Sequence, residues 1–232
     1  MKELTLFNIP LFYIFIVIAF ILPKIPIIGK FFNIINTVIH EFGHAFFTLI
    51  LEGKVHKIEI FSDSAGSTVT QSKSKWSNIL IALAGYSMAS SIAYFCFYLL
   101  KYEYELGLVI GLSILFFIML IFWIRNWYGF FWVLIFCGIN LFLIYYYPSY
   151  LKIAALFYAT MILVESISST FVLLYFSIKQ SDDAGDATNL QRFTHIPAFI
   201  WALLFTAYAC FIGYCTIVEF ILPNHAIITF FT

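Results

Sequence analysis

The sequence predicts an all-α, multi-span membrane protein of about six to seven transmembrane helices, with one small β-hairpin at the membrane surface. Composition, hydropathy and the recurrence of long apolar runs lead there. Hydrophobic residues make up 63% of the 232 positions and charged residues 10%, against roughly 25% charged in a soluble domain. Mean hydropathy is +0.98. Apolar stretches long enough to cross a bilayer recur along almost the whole chain, which excludes one anchor bearing a large soluble domain. Lys+Arg and Asp+Glu balance at 12 each, so no basic excess points to nucleic acid. No repeat or low-complexity linker divides residues 1–232, which read as a single integral-membrane domain.

The first apolar run, about Leu4 to Leu22, is too long for a signal-peptide core and lacks a small-residue cleavage site. It reads as a retained first span or a signal anchor, closed by Pro23 and Pro26. Six further spans run roughly from Phe31 to Leu51, Ile79 to Leu100, Leu106 to Trp123, Phe130 to Tyr147, Leu151 to Ile178 and Ala198 to Leu222. Seven is the count, or six if the first segment only lies in the interface. Arg125 and Asn126 form a short polar break, either a turn or a pair facing the bundle. Cys96, Cys137, Cys210 and Cys215 all fall in apolar segments and set no disulfide or CxxC pattern.

Two segments are not spans. From Glu52 to Lys75 the chain is at its most polar. The alternation from Val55 to Phe61, the turn chemistry of Asp63 to Gly66 and the stretch Ser67 to Thr70 predict strand, turn, strand. The second is Gln180 to Pro197, which holds Asp182, Asp183 and Asp186. With seven spans, Lys2, Lys54, Lys57, Lys73, Lys75, Arg125, Lys179 and Arg192 share one side, against Lys24, Lys30, Lys101 and Lys152. That asymmetry favours a cytoplasmic N-terminus and puts the hairpin and the Asp-rich loop on one face.

Chemistry concentrates in the second span, where His40-Glu41-Phe42-Gly43-His44 forms an HExxH sequence among apolar neighbours. On a helix, residues four apart stack on one face, so both imidazoles can reach one zinc ion. Glu41 stands beside that face, where a carboxylate can take a proton from water. Three ionisable groups within five residues of a membrane helix each cost roughly 2.5–3.5 kcal/mol on insertion scales. A metal ion offsets that cost; packing alone does not.

These residues resemble the site-2 protease family of intramembrane zinc metalloproteases, especially its small bacterial branch. The likeness starts at His40–His44 and continues through Glu52-Gly53-Lys54-Val55, Leu83-Ala84-Gly85-Tyr86 and Arg125-Asn126-Trp127-Tyr128-Gly129. It ends with Gly185-Asp186-Ala187-Thr188-Asn189-Leu190 and Thr194 to Trp201. The resemblance implies a zinc held within the membrane by two His and a distant Asp, and cleavage of peptide bonds. The late Asn-Pro-Asp-Gly or Leu-Asp-Gly form of the larger family is absent. It further implies a membrane-protein or membrane-associated peptide substrate and the cytoplasmic membrane of a bacterium.

A catalytic zinc takes three protein ligands and leaves one position open, so a third ligand must come from elsewhere. The loop of residues 180–197 shares a face with the end of the HExxH helix. Asp186, followed by Ala187 and Leu190, suits a segment dipping into the bundle, and the resemblance places the family's aspartate there. Asp182 and Asp183 remain the alternatives. Glu165 reads as a buried hydrogen-bonding group or a partner of the site, His56 as a surface residue, His195 as local structure and His225 as remote. Gly85, Ser87, Ala89, Ser90 and Ser91 read as a close-packing stripe. The expected site is therefore Glu41 as base, with His40, His44 and Asp186 on zinc. The rival is a non-proteolytic scaffold or an ion-handling protein with a structural zinc. Ion paths spread ionisable groups over several spans, and here they cluster. An extended substrate segment could also add to the hairpin edge as a further strand.

Overall fold

A computed structural model describes residues 5–6, 9–26, 28–181 and 184–222. A two-residue ladder, β1 (Thr5–Leu6) with β2 (Ile9–Pro10), leads into α1 (Leu11–Ile21) and a short 3-10 turn at Leu22–Lys24. Then come α2 (Ile28–Ile50), β3 (Lys54–Ile60), β4 (Gly66–Gln71), α3 (Lys75–Lys101), α4 (Glu105–Phe122), α5 (Trp127–Tyr146), α6 (Leu151–Lys179), α7 (Gly185–Thr194) and α8 (Ala198–Thr216).

Among the described residues, five segments are long and apolar enough to cross a membrane by themselves: α3, α4, α5, α6 with its preceding turn, and α8 with its C-terminal extension. The helices on either side of Pro23 and Pro26 meet at 106° and make at most one further span together. Among the described residues the count is thus five to six, and six is the sequence reading in which the first segment is not a full span of its own. α1 has 11 residues, about 16 Å at 1.5 Å per residue, roughly half a hydrocarbon core. Pro23 sits in the 3-10 turn that ends it, where its missing N–H cannot continue a helical ladder.

Exposure follows the same logic. Ile114, Phe117, Ile121, Phe131, Ile135 and Leu141 on α4 and α5 point outward, as side chains facing lipid do. Trp76 and Trp127 at helix starts and Tyr145 and Tyr146 at a helix end are exposed, an arrangement suited to the two interfaces. The bundle's centre is built from α2, α3, α6 and α8, with α4 and α5 against α6 and α7 wedged between α3 and α8.

The hairpin does not stand away from the bundle. It folds back along α2, with Ile58 and Ile60 fully buried. Its turn is held by the Asp63 carboxylate accepting from the Ala65 N–H at 3.0 Å and by Thr37 donating its hydroxyl to the Ser64 carbonyl at 2.8 Å. A bulge between Val55 and Lys57 turns His56 outward, where it meets Gln71. The polar break at Arg125 and Asn126 is a turn that serves this sheet. The Ile58 N–H donates to the Trp123 carbonyl at 2.7 Å, and the Arg125 N–H to the Ile58 carbonyl at 3.0 Å. The Asn126 side chain accepts from the Ile60 N–H and donates back to the Ile60 carbonyl. β3 is therefore flanked on both edges. Of the two hairpin strands, β4 is the one whose outer edge is unpaired among the described residues, so a strand added to this hairpin pairs with β4 and not with β3.

Candidate metal centre

His40 and His44 lie one turn apart on α2, and their Nε2 atoms are 3.0 Å from each other. The His44 Nδ1–H donates to the Ile81 carbonyl of α3 at 2.8 Å. That bond fixes the tautomer and leaves the Nε2 lone pair facing the cavity. The His40 ring packs edge-on against Tyr86, centroids 4.5 Å apart, and Tyr86 in turn leans on Phe205 of α8.

Helix α3 can come this close because two glycines remove side chains at the crossing. A Cβ on Gly43 would lie 2.7 Å from the Ala84 carbonyl oxygen. One on Gly85 would lie 2.6 Å from both imidazole Nε2 atoms. The small-residue stripe expected to serve helix packing thus has a second use: Gly85 makes room for the histidines.

Asp186 arrives from the start of α7. Gly185 takes a φ of +42°, a conformation that favours glycine, and turns the chain into the helix there. Thr188 clamps the approach, accepting from the Ala184 N–H and donating to the Ser181 carbonyl. Asp186 Oδ2 ends 3.2 Å from His40 Nε2 and 3.2 Å from His44 Nε2. This oxygen is buried and engages in no hydrogen bond among the described residues.

Three electron-pair donors aimed at one point invite a cation. Zinc binds imidazole nitrogen and carboxylate oxygen at about 2.0–2.2 Å in a tetrahedron, so the ligand atoms of one ion stand roughly 3.3 Å apart. The observed separations of 3.0, 3.2 and 3.2 Å suit that donor set.

Glu41 is buried next to the cluster without belonging to it. The Thr68 hydroxyl donates to its Oε2, and Gly66 of the same strand sits so close that an added Cβ would strike its Oε1. These groups line a cavity of about 610 Å³ bounded by α2, β4, α3, α6 and α7.

The other sequence candidates lie elsewhere. His56 and His195 are exposed, the latter ending α7 in a left-handed conformation. Glu165 does not line the cavity. Asp182, Asp183 and His225 fall outside the described residues. Asn36, Thr68, Tyr86 and the Ile81 carbonyl were missed. Only Asn36 carried a signal: its position four residues before His40, on the same helix face.

Fold and site together define an integral membrane protein with a largely buried two-histidine, one-aspartate cluster beside a carboxylate. Residues 12–216 match the family model described as Peptidase M50B-like, and the chain belongs to that family. The match bears out the resemblance to site-2 proteases and makes this a member of a metallopeptidase family. Comparison with curated proteins and with solved structures found no match.

Proposed function

We propose that the protein is a zinc-dependent intramembrane endopeptidase, cutting membrane proteins or membrane-associated peptides in the cytoplasmic membrane of a bacterium. The observation that carries this reading is the convergence of His40, His44 and Asp186 with Glu41 alongside. Zinc held by those three groups would supply a water of near-neutral pKa and a positive charge to polarise the scissile carbonyl.

The chain's own residues do the rest. Glu41 takes the proton of the attacking water and returns it to the departing amide nitrogen, so the peptide bond breaks with no net change at the carboxylate. Thr68 holds Oε2, which leaves Oε1 for the proton. The cavity wall keeps the reaction apart from lipid.

A peptide bond inside a helix is shielded by its own hydrogen bonds, so the substrate must be extended where it is cut. The free edge of β4, which lines the cavity, can pair with such a segment. Backbone N-methylation next to the cut site of a cleaved peptide is therefore expected to stop cleavage, while side-chain changes there are tolerated. Equal rates for methylated and unmethylated peptides would remove strand pairing from this account.

The ligand set is tested by metal content. Asp186→Asn and His44→Ala should each lose bound zinc, since two remaining ligands hold it poorly. Asp182→Asn and Asp183→Asn should keep it. Full zinc in Asp186→Asn, with loss confined to Asp183→Asn, would move the third ligand upstream.

A further inference from the structure

The cavity wall holds one more polar group whose hydrogen-bonding capacity is unmet. Asn36 is only 8% exposed, lines the cavity, and its Oδ1 is buried without a partner among the described residues. Its neighbours differ. Thr37 donates to the Ser64 carbonyl, Asn78 accepts from Ser72, Thr68 donates to Glu41, and Asn189 is exposed. Buried amide oxygens without partners are rare in folded proteins. A side-chain amide of this kind, lining a cavity beside three convergent ligands, marks a place where a peptide group arrives from outside.

A primary amide matches a peptide group, accepting its N–H and donating to its carbonyl. Asn36 lies on the face of α2 that carries His40, about 6 Å further along the axis at 1.5 Å per residue. An extended chain advances about 3.3 Å per residue. We propose that Asn36 binds the substrate main chain, its side-chain amide pairing with a peptide group about two residues from the bond that is cut. The inference rests on the peptidase reading above and adds a substrate-binding residue that reads backbone and not sequence.

The test uses the full chain, zinc-loaded in detergent micelles, with a fluorescein-labelled random pool of short apolar peptides. Asn36→Leu should raise KM about threefold to tenfold, the worth of one hydrogen bond, with kcat nearly unchanged. Zinc content should stay the same, and Tm should hold or rise, because the substitution removes an unpartnered buried amide. Asn36→Ala, which cannot obstruct the cavity, should show the same rise in KM. An unchanged KM in both variants overturns the proposal and leaves the peptidase reading intact. Lower zinc content or lower Tm in both variants would make Asn36 a structural support, which also overturns it. If zinc-loaded wild-type protein cuts nothing in the pool, both readings fall together.

Discussion

Glu41→Gln is expected to lower the rate of peptide hydrolysis by roughly 10²–10⁴-fold, the usual worth of a positioned general base, while zinc remains bound. The substitution keeps the shape of the side chain and replaces one carboxylate oxygen with an NH2 group that cannot accept a proton. The surroundings should tolerate it. The remaining amide oxygen can still accept from the Thr68 hydroxyl, and the side chain stays in its slot against Gly66. The metal should be undisturbed, because the convergent donor set is His40, His44 and Asp186, without Glu41. The measurement pairs a turnover assay with zinc content on one preparation. Normal turnover with normal zinc would exclude Glu41 as the base, and with it the peptidase mechanism. Loss of zinc along with activity would instead make Glu41 part of the metal site.

How much of this could be read from the chain differs from residue to residue. His40 and His44 were legible because helix periodicity alone places them together, and their cost in an apolar span asks for a reason. Asp186 was legible as one of three acids, chosen by loop parity and the apolar residues after it. The Thr188 clamp and the turn at Gly185 that aim it were not. Arg125 and Asn126 were visible as a break, but their pairing with β3 joins residues more than sixty positions apart, and no local pattern encodes that. The first segment was legible only as two alternatives, a full span or an interfacial helix: the described helix before Pro23 and Pro26 has 11 residues, which suits the second and gives up to six spans. The hairpin's strands followed from alternation. That it folds back along α2 to bring Thr68 to Glu41 depends on tertiary packing.

Gly85 gives the second large effect. Gly85→Ala is expected to strip most of the zinc and nearly all activity, although alanine favours a helix over glycine by about 1 kcal/mol. The added methyl would sit 2.6 Å from the Nε2 atoms of both His40 and His44, far inside van der Waals contact. Either the rings or the helix must move. The His44 ring cannot withdraw freely, because its Nδ1–H is bonded to Ile81, one turn before Gly85 on the same helix. His40 is backed by Tyr86, the residue next to Gly85. The helix cannot retreat easily either, since Gly43 and Ala84 already bring α2 and α3 into close backbone contact. Disturbing groups that orient metal ligands typically lowers metal affinity or activity 10–100-fold, and here the disturbance reaches two of three ligands at once. Gly111→Ala on α4 is the matched control: it makes the same change in helix propensity, and its Cβ would meet nothing within 4 Å. Zinc content and turnover of the two variants, measured side by side, decide the matter. Zinc loss in Gly85→Ala alone ties the close approach of α3 to the metal centre. Full zinc and normal turnover in Gly85→Ala would mean that the histidines are not held where the structure has them.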